Sequence, residues 1–252
     1  MTKSEIRLQY SGFVIFAAKL LSIATGLAFQ LMIARTVTPE EYGIWFNLND
    51  ILTYFALFAG VIPFWAMRFA SRGARGAIKT GLLTNLFFSV IATVLYIITV
   101  KSTALTLGVQ EYFFVYIIGS FQIIEYYLIS ASEEFLRARK PEIIGYGLLI
   151  SELFKVALGY FIIIIYGKPL EGAIASIILA IATQLIYYLM TLKVELRGKL
   201  KLDYVKEWIK GSILNVYTIV GAQIANFVLI LLFIYGGERA RGYYGAASQI
   251  AT

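Results

Sequence analysis

Among the charged residues that stand inside otherwise apolar runs of this 252-residue chain are Lys19, Asp50, Glu125, Glu152 and Lys155. An ionisable group at membrane depth is costly, so it faces a cavity or a partner of opposite charge and marks a path for substrate or ion. Glu152 and Lys155 are spaced i, i+3 on one helix face, where they neutralise each other. Counted from the turn at 139–141, Glu125 and that pair lie roughly 17–24 Å into adjacent helices. The three therefore read as one charge cluster, either structural or ion-coupling. Lys19, on the first run, either snorkels to the headgroups or lines a cationic cavity, where pairing with a phosphate is stronger than in water. Asp50, beside Asn47 and Asn49, either sits wet at a cavity mouth or binds a cation.

Other chemistry is excluded by composition. The chain has no Cys and no His, hence no thiolate, disulfide, Cys/His metal site or imidazole base. It has no glycine-rich phosphate loop and no hydrophilic segment long enough to fold as a nucleotide-binding domain. Neither an enzyme nor a self-contained ATP-driven pump is expected, and no cofactor.

The elements that must position these charges are membrane helices. Charged residues are 15% of the chain and apolar types 60%, against about a quarter charged in soluble domains. A span needs about 20 apolar residues, and seven runs qualify: 12–34, 43–66, 80–100, 112–136, 143–166, 172–192 and 209–235. An eighth begins near Tyr243 and is cut off at Thr252. Thr38-Pro39-Glu40-Glu41, Lys140-Pro141-Glu142 and Lys168-Pro169 read as helix starts, whereas Pro63 reads as a kink within the second run. The amino terminus and even-numbered loops carry fifteen Lys and Arg, the odd loops five. By the positive-inside rule the former are cytoplasmic, which makes this a multi-pass protein of the cytoplasmic membrane with its amino terminus inside. The first run is too long for a cleavable signal peptide. The net charge of +7 is then accounted for by topology and anionic lipid, and no nucleic-acid partner is expected. Between the sixth and seventh runs, 193–210 is a hydrophilic linker whose portion 202–209 is amphipathic and suited to the cytoplasmic interface.

A repeat is visible as well. Arg35 through Tyr42-Gly43, followed by Asn47, has a counterpart in Arg239 through Tyr244-Gly245, followed by Gln249. Aligning the two Tyr-Gly pairs sets the first run over the seventh. Six helices is an even number, so the copies share topology and are related by an axis along the membrane normal.

Lys19 on the first helix, "IARTVTPEEYGIW" (33–45), "AGVIPFWAMRFASRGAR" (59–75) and "WIKGSILNVYTIVGAQIANFVL" (208–229) resemble the polysaccharide-export or oligosaccharide-flippase branch of the multidrug/oligosaccharidyl-lipid/polysaccharide (MOP) superfamily. The resemblance implies an all-α polytopic bundle of the MOP/MATE type, with a six-helix first lobe (1–198) and the beginning of a second lobe (199–252) of which most is missing. It implies a V-shaped cavity that opens alternately to either side, and a substrate of sugars linked to a polyprenyl phosphate or pyrophosphate, with membrane lipids and a coupling cation as further partners. Arg35 and Arg68 fall at basic positions of the family-like motifs, joining Lys19 and Asp50 as candidate cavity residues; Glu125, Glu152 and Lys155 remain the ion-coupling candidates. Two rivals are a cation-coupled multidrug antiporter, which would use a carboxylate-centred site, and a membrane glycosyltransferase, which would need catalytic carboxylates in a large outer loop. The outer loops here are short, and their one acidic pair, Glu40-Glu41, opens a helix.

Overall fold

The computed structural model describes residues 8–251; Lys3, Arg7 and the side chain of Asn215 lie outside the described residues. Among these the chain is an all-α transmembrane bundle of nine helices: α1 (Leu8–Ala34), α2 (Pro39–Phe55), α3 (Val61–Ser71), α4 (Ala77–Leu107), α5 (Phe113–Gly119), α6 (Phe121–Arg139), α7 (Glu142–Gly159), α8 (Pro169–Thr191) and α9 (Leu202–Ala251). A π-helical stretch, Tyr160–Ile165, prolongs α7, and α9 bends at Gly237, whose φ of 76° is left-handed. Five of the seven expected runs lie in helical stretches long and apolar enough to cross a membrane. Thr38 caps α2 with a reciprocal pair of bonds to Glu41, and Pro39 and Pro169 open their helices.

The second run departs from expectation: it is broken, not kinked. Residues 56–60 leave the helix, and α3 starts at Val61 with Pro63 as its third residue. A continuous helix would have the Ala59 carbonyl accept from the amide of residue 63, and proline has none. The Asn85 side-chain amide of α4 supplies the missing donor, at 3.0 Å, and also donates to the Tyr127 carbonyl of α6. Tyr127 in turn donates its hydroxyl to the freed Phe55 carbonyl. Backbone polarity with no solvent to satisfy it is thus paired by neighbouring helices.

Glycines set the closest helix approaches, as they do where apolar attraction between helices is absent. On α7, a Cβ at Gly145 would come within 2.8 Å of Val14 and one at Gly159 within 2.6 Å of Phe29, so α1 lies along α7 through its stripe Ser11, Val14, Ala18, Phe29 and Ile33. The opposite faces of α1 and α4 expose Phe13, Phe16, Ile23, Phe87 and Ile98, as lipid-facing helices must. The segment 202–209 is not a separate interfacial helix. It forms the first turns of α9, with Trp208 fully buried against Phe69 of α3. From there α9 follows α3 and α2 to the Gly237 bend, and its last turns return along α2.

Replacing Asn85 with Leu is expected to orphan the buried Ala59 carbonyl, at about 1–3 kcal/mol. In detergent the thermal midpoint should fall by several degrees, at about 2–4 °C per kcal/mol for a chain of this size. An unchanged midpoint would mean that the break at 56–60 does not depend on this amide.

Candidate functional site

The two copies of the Tyr-Gly repeat meet each other. Gly43 of α2 takes the backbone of Glu238 so closely that a methyl there would stand 1.9 Å from its carbonyl oxygen; at Gly242 it would stand 2.2 Å from the Pro39 carbonyl, and at Gly245 2.1 Å from the Phe46 ring. Only glycine permits this crossing of α2 and the end of α9. Immediately below it, Arg241 grips Asp50 with two bonds, Nε to Oδ2 at 2.8 Å and Nη2 to Oδ1 at 2.9 Å. The side chains are 4% and 13% exposed, and the guanidinium lies over Phe46, 4.7 Å from the ring centre. A second pair, Arg239 and Glu40 at 2.8 Å, stands in the open at the rim. The Glu40 carboxyl is held below its ordinary value chiefly by a hydrogen bond from its own backbone N–H, with Thr38 and Arg239 adding to this, while burial and the nearby Glu111 and Glu40 raise that of Glu238.

The expected three-residue cluster does not form. Glu152 Oε1 accepts from Lys155 at 2.7 Å and its Oε2 from the Thr25 hydroxyl of α1 at 2.6 Å; Lys155 also lies 5.6 Å from the centre of the Phe29 ring. Glu125 stands apart on α6, 7% exposed, with Oε2 enclosed and without a hydrogen-bond partner. Lys19 is exposed on α1 and within electrostatic reach of Glu133 on α6. Arg35 ends α1 in the open, and Arg68 is exposed with its guanidinium over Phe64 and Trp65, 4.3 and 4.8 Å from the ring centres.

Two cavities flank α9. One of about 460 Å³ lies at the α2–α3 break between Phe58, Phe88, Tyr127 and Ile213; the other, about 710 Å³, lies between Tyr54, Thr103, Phe227 and Ile234. The first is walled almost wholly by apolar side chains, the second by apolar side chains with a row of hydroxyls from Thr99, Ser102, Thr103 and Thr106, and none of the seven candidate residues lines either one.

Arg241, Arg239, Thr25 and Glu133 were not singled out in the sequence. The two arginines counted only as loop charges, although a carboxylate at Asp50 demands a cation at its own depth.

No protein-family model matches the chain, and no curated protein matches it in sequence. Solved structures do resemble it. An outward-facing multidrug resistance MATE family transporter of the MOP superfamily superimposes with a TM-score of 0.68 at 18% identity, over 97% of this chain and 59% of that one. A MOP superfamily transporter from Pyrococcus furiosus, described as having a binding pocket of reverse polarity, gives 0.70 at 16%, over 97% and 59%. A MATE protein bound to MaD5 gives 0.73 at 14%, over 99% and 64%. The fold is that of the MATE/MOP transporters, and the chain spans about three-fifths of their length.

Truncating Arg241 to Ala leaves Asp50 buried without its cation and is expected to cost about 3–5 kcal/mol. Adding Asp50→Asn should recover part of that loss, whereas Arg239→Ala at the exposed rim should cost under about 1 kcal/mol. Thermal melts in detergent of these three variants and of Asp50→Asn alone measure the cycle; equal effects at 239 and 241 would show that the seam does not depend on the inner pair.

Proposed function

We propose that the chain is part of a membrane transporter that moves sugars linked to a polyprenyl phosphate or pyrophosphate across the cytoplasmic membrane by alternating access. Residues 1–198 form its first lobe and 199–252 open the second, with the amino terminus and even loops in the cytoplasm. The observation that carries this reading is how charge is disposed. Asp50 and Glu152 are each tied to a cation, which leaves neither as an open cation-binding carboxylate, while Lys19 stays exposed on α1. An accessible fixed cation on the cytoplasmic half favours an anionic headgroup such as a phosphate.

The Gly43–Gly242–Gly245 crossing and its two ion pairs close the odd-loop face. In this conformation the substrate is received from the cytoplasm, with its lipid tail left in the bilayer. Parting α2 from the end of α9 opens the other side, as rocking of two repeats about a common axis requires. The second reading, a cation-coupled multidrug antiporter, draws on the MATE neighbours and on the unpaired Glu125.

The test is translocation of a lipid-linked oligosaccharide in vesicles containing the complete protein. Lys19→Ala is expected to slow it about tenfold, the equivalent of about 1.4 kcal/mol, with Lys19→Arg retaining most of the rate. The chain has no cysteine, so Glu40→Cys with Arg239→Cys, joined by a short bifunctional thiol reagent, should stop transport until the bridge is cleaved. Efflux of organic cations with no movement of the lipid-linked sugar would instead establish the antiporter.

A further inference from the structure

The seam between α3 and the start of α9 joins two features that the transport reading does not use. The first is the cavity of about 460 Å³ at the α2–α3 break. The polar side chains that line it are all engaged: Ser212 donates to the Trp208 and Val61 carbonyls, Tyr54 to the Gln223 carbonyl and Tyr127 to the Phe55 carbonyl. What the side chains offer a guest is apolar contact, and such a cavity stays dry and takes hydrocarbon. Among its walls Phe58, Ile91, Leu95 and Ile213 are exposed. Ile91 and Leu95 fall between Phe87 and Ile98 on the lipid-facing stripe of α4, so the cavity opens toward hydrocarbon.

The second feature is a set of cations without counter-ions. Arg68 on α3 and Lys206 and Lys210 on α9 are exposed and form no ion pair among the described residues. Packing fixes their level. The Phe69 ring contacts those of Tyr204 and Trp208, with centres 5.2 and 5.7 Å apart, and the Trp65 ring rests on Gly211. That sets Arg68 beside the turn of α9 that carries Lys206. Arg68 lies seven residues after Val61, and Lys206 seven before Ile213, each on the same helix stripe as that cavity wall. Each cation therefore stands about 10 Å from the cavity along its own helix, toward the even-numbered loops. Asp203 and Glu207, the acidic residues of these turns, lie on the side of α9 turned away from Ile209 and Val216. Topology calls for positive charge anywhere on this face; it does not call for charge at the mouth of an apolar cavity.

We infer that this seam binds an anionic phospholipid of the leaflet that the even-numbered loops face. The phosphate lies between Arg68 and Lys206, with Lys210 adding to the positive field, and one acyl chain enters the cavity at the α2–α3 break. A basic patch alone would hold any anion and an apolar cavity any chain; the two together select an amphiphile that carries both. Arg68 is already seated over Phe64 and Trp65, which reduces the freedom it loses on binding.

The chain's own tryptophans supply the probe, because two of the three, Trp65 and Trp208, lie in the seam, while Trp45 of α2 gives a background. The full chain is placed in phosphatidylcholine vesicles with increasing fractions of phosphatidylglycerol brominated on its acyl chains, since bromine quenches indole fluorescence on contact. Quenching should saturate at a low mole fraction, whereas brominated phosphatidylcholine should quench only in proportion to its amount. Arg68→Ala with Lys206→Ala should raise the half-saturating fraction about tenfold, through loss of two cations that attract the headgroup. Arg68→Lys with Lys206→Arg should keep it near the wild-type value. Arg139→Ala with Lys140→Ala, which removes as much charge from another even-numbered loop, should leave it unchanged. Val216→Phe, which fills the cavity, should weaken the saturable quenching with every charge in place. Equal quenching by the two brominated lipids, an equal shift from the pair at 139 and 140, or no response to Val216→Phe would each overturn the inference. So would displacement of the brominated lipid by a polyprenyl phosphate at a lower mole fraction than plain phosphatidylglycerol requires, which would assign the site to transported lipid. No transport enters these measurements, so the site stands or falls separately from the proposed function.

Discussion

A helix bundle in hydrocarbon has no water to complete its polar groups, and that constraint governs where every charge and every freed carbonyl of this chain is found. The clearest expression is the Asp50–Arg241 contact. A carboxylate fifteen ångströms or so into α2, at about 1.5 Å per residue from Pro39, is tolerable only if a cation comes to it, and the cation comes from the other copy of the repeat. The close crossing at Gly43, Gly242 and Gly245 follows from the same need. Without it the arginine would not reach, and each partner would be left charged and dry.

The same accounting explains the interior of the bundle. Pro63 removes one amide, and Asn85 and Tyr127 restore partners to the carbonyls that its absence frees. Glu152 is accompanied by Lys155 on its own helix and by Thr25 across the interface. Ser212 on α9 donates to the Val61 carbonyl at the first turn of α3, so the beginning of α9 is fastened to the same broken span. Glu125 is the member of this set whose Oε2 lacks such provision among the described residues.

Much of this could be read from the residues, and the reasons are physical. Apolar runs of the right length define the spans because a bilayer fixes the length required, and the Thr38–Glu41 box is a local signal that the structure realises atom for atom. The pairing of Glu152 with Lys155 follows from helix periodicity alone. Contacts between distant segments were harder. The break at 56–60 depends on an amide twenty-odd residues away, which the proline itself does not reveal. Glu125 and the pair at 152 and 155 are at similar depth, but depth does not fix the direction a helix face points, and α7 turns its charges to α1. The Tyr-Gly alignment indicated two related segments without indicating that they touch.

These contacts differ in what happens when they part. Those around Asn85 lie among Ala59, Tyr127 and other buried groups, where separation would leave carbonyls in hydrocarbon with nothing to replace the lost donor. Such contacts behave as permanent fastenings. The seam between α2 and the end of α9 is built otherwise. Its outer pair, Glu40 and Arg239, is already in the open, and Asp50 and Arg241 lie just beneath, so water arriving from the rim can hydrate each charge as the pair separates. Hydration offsets most of the lost attraction, because the cost of a buried pair is chiefly that of leaving one partner unsolvated. A seam of strong, hydratable pairs over a glycine crossing holds firmly when closed yet parts at lower cost than the dry contacts of the interior.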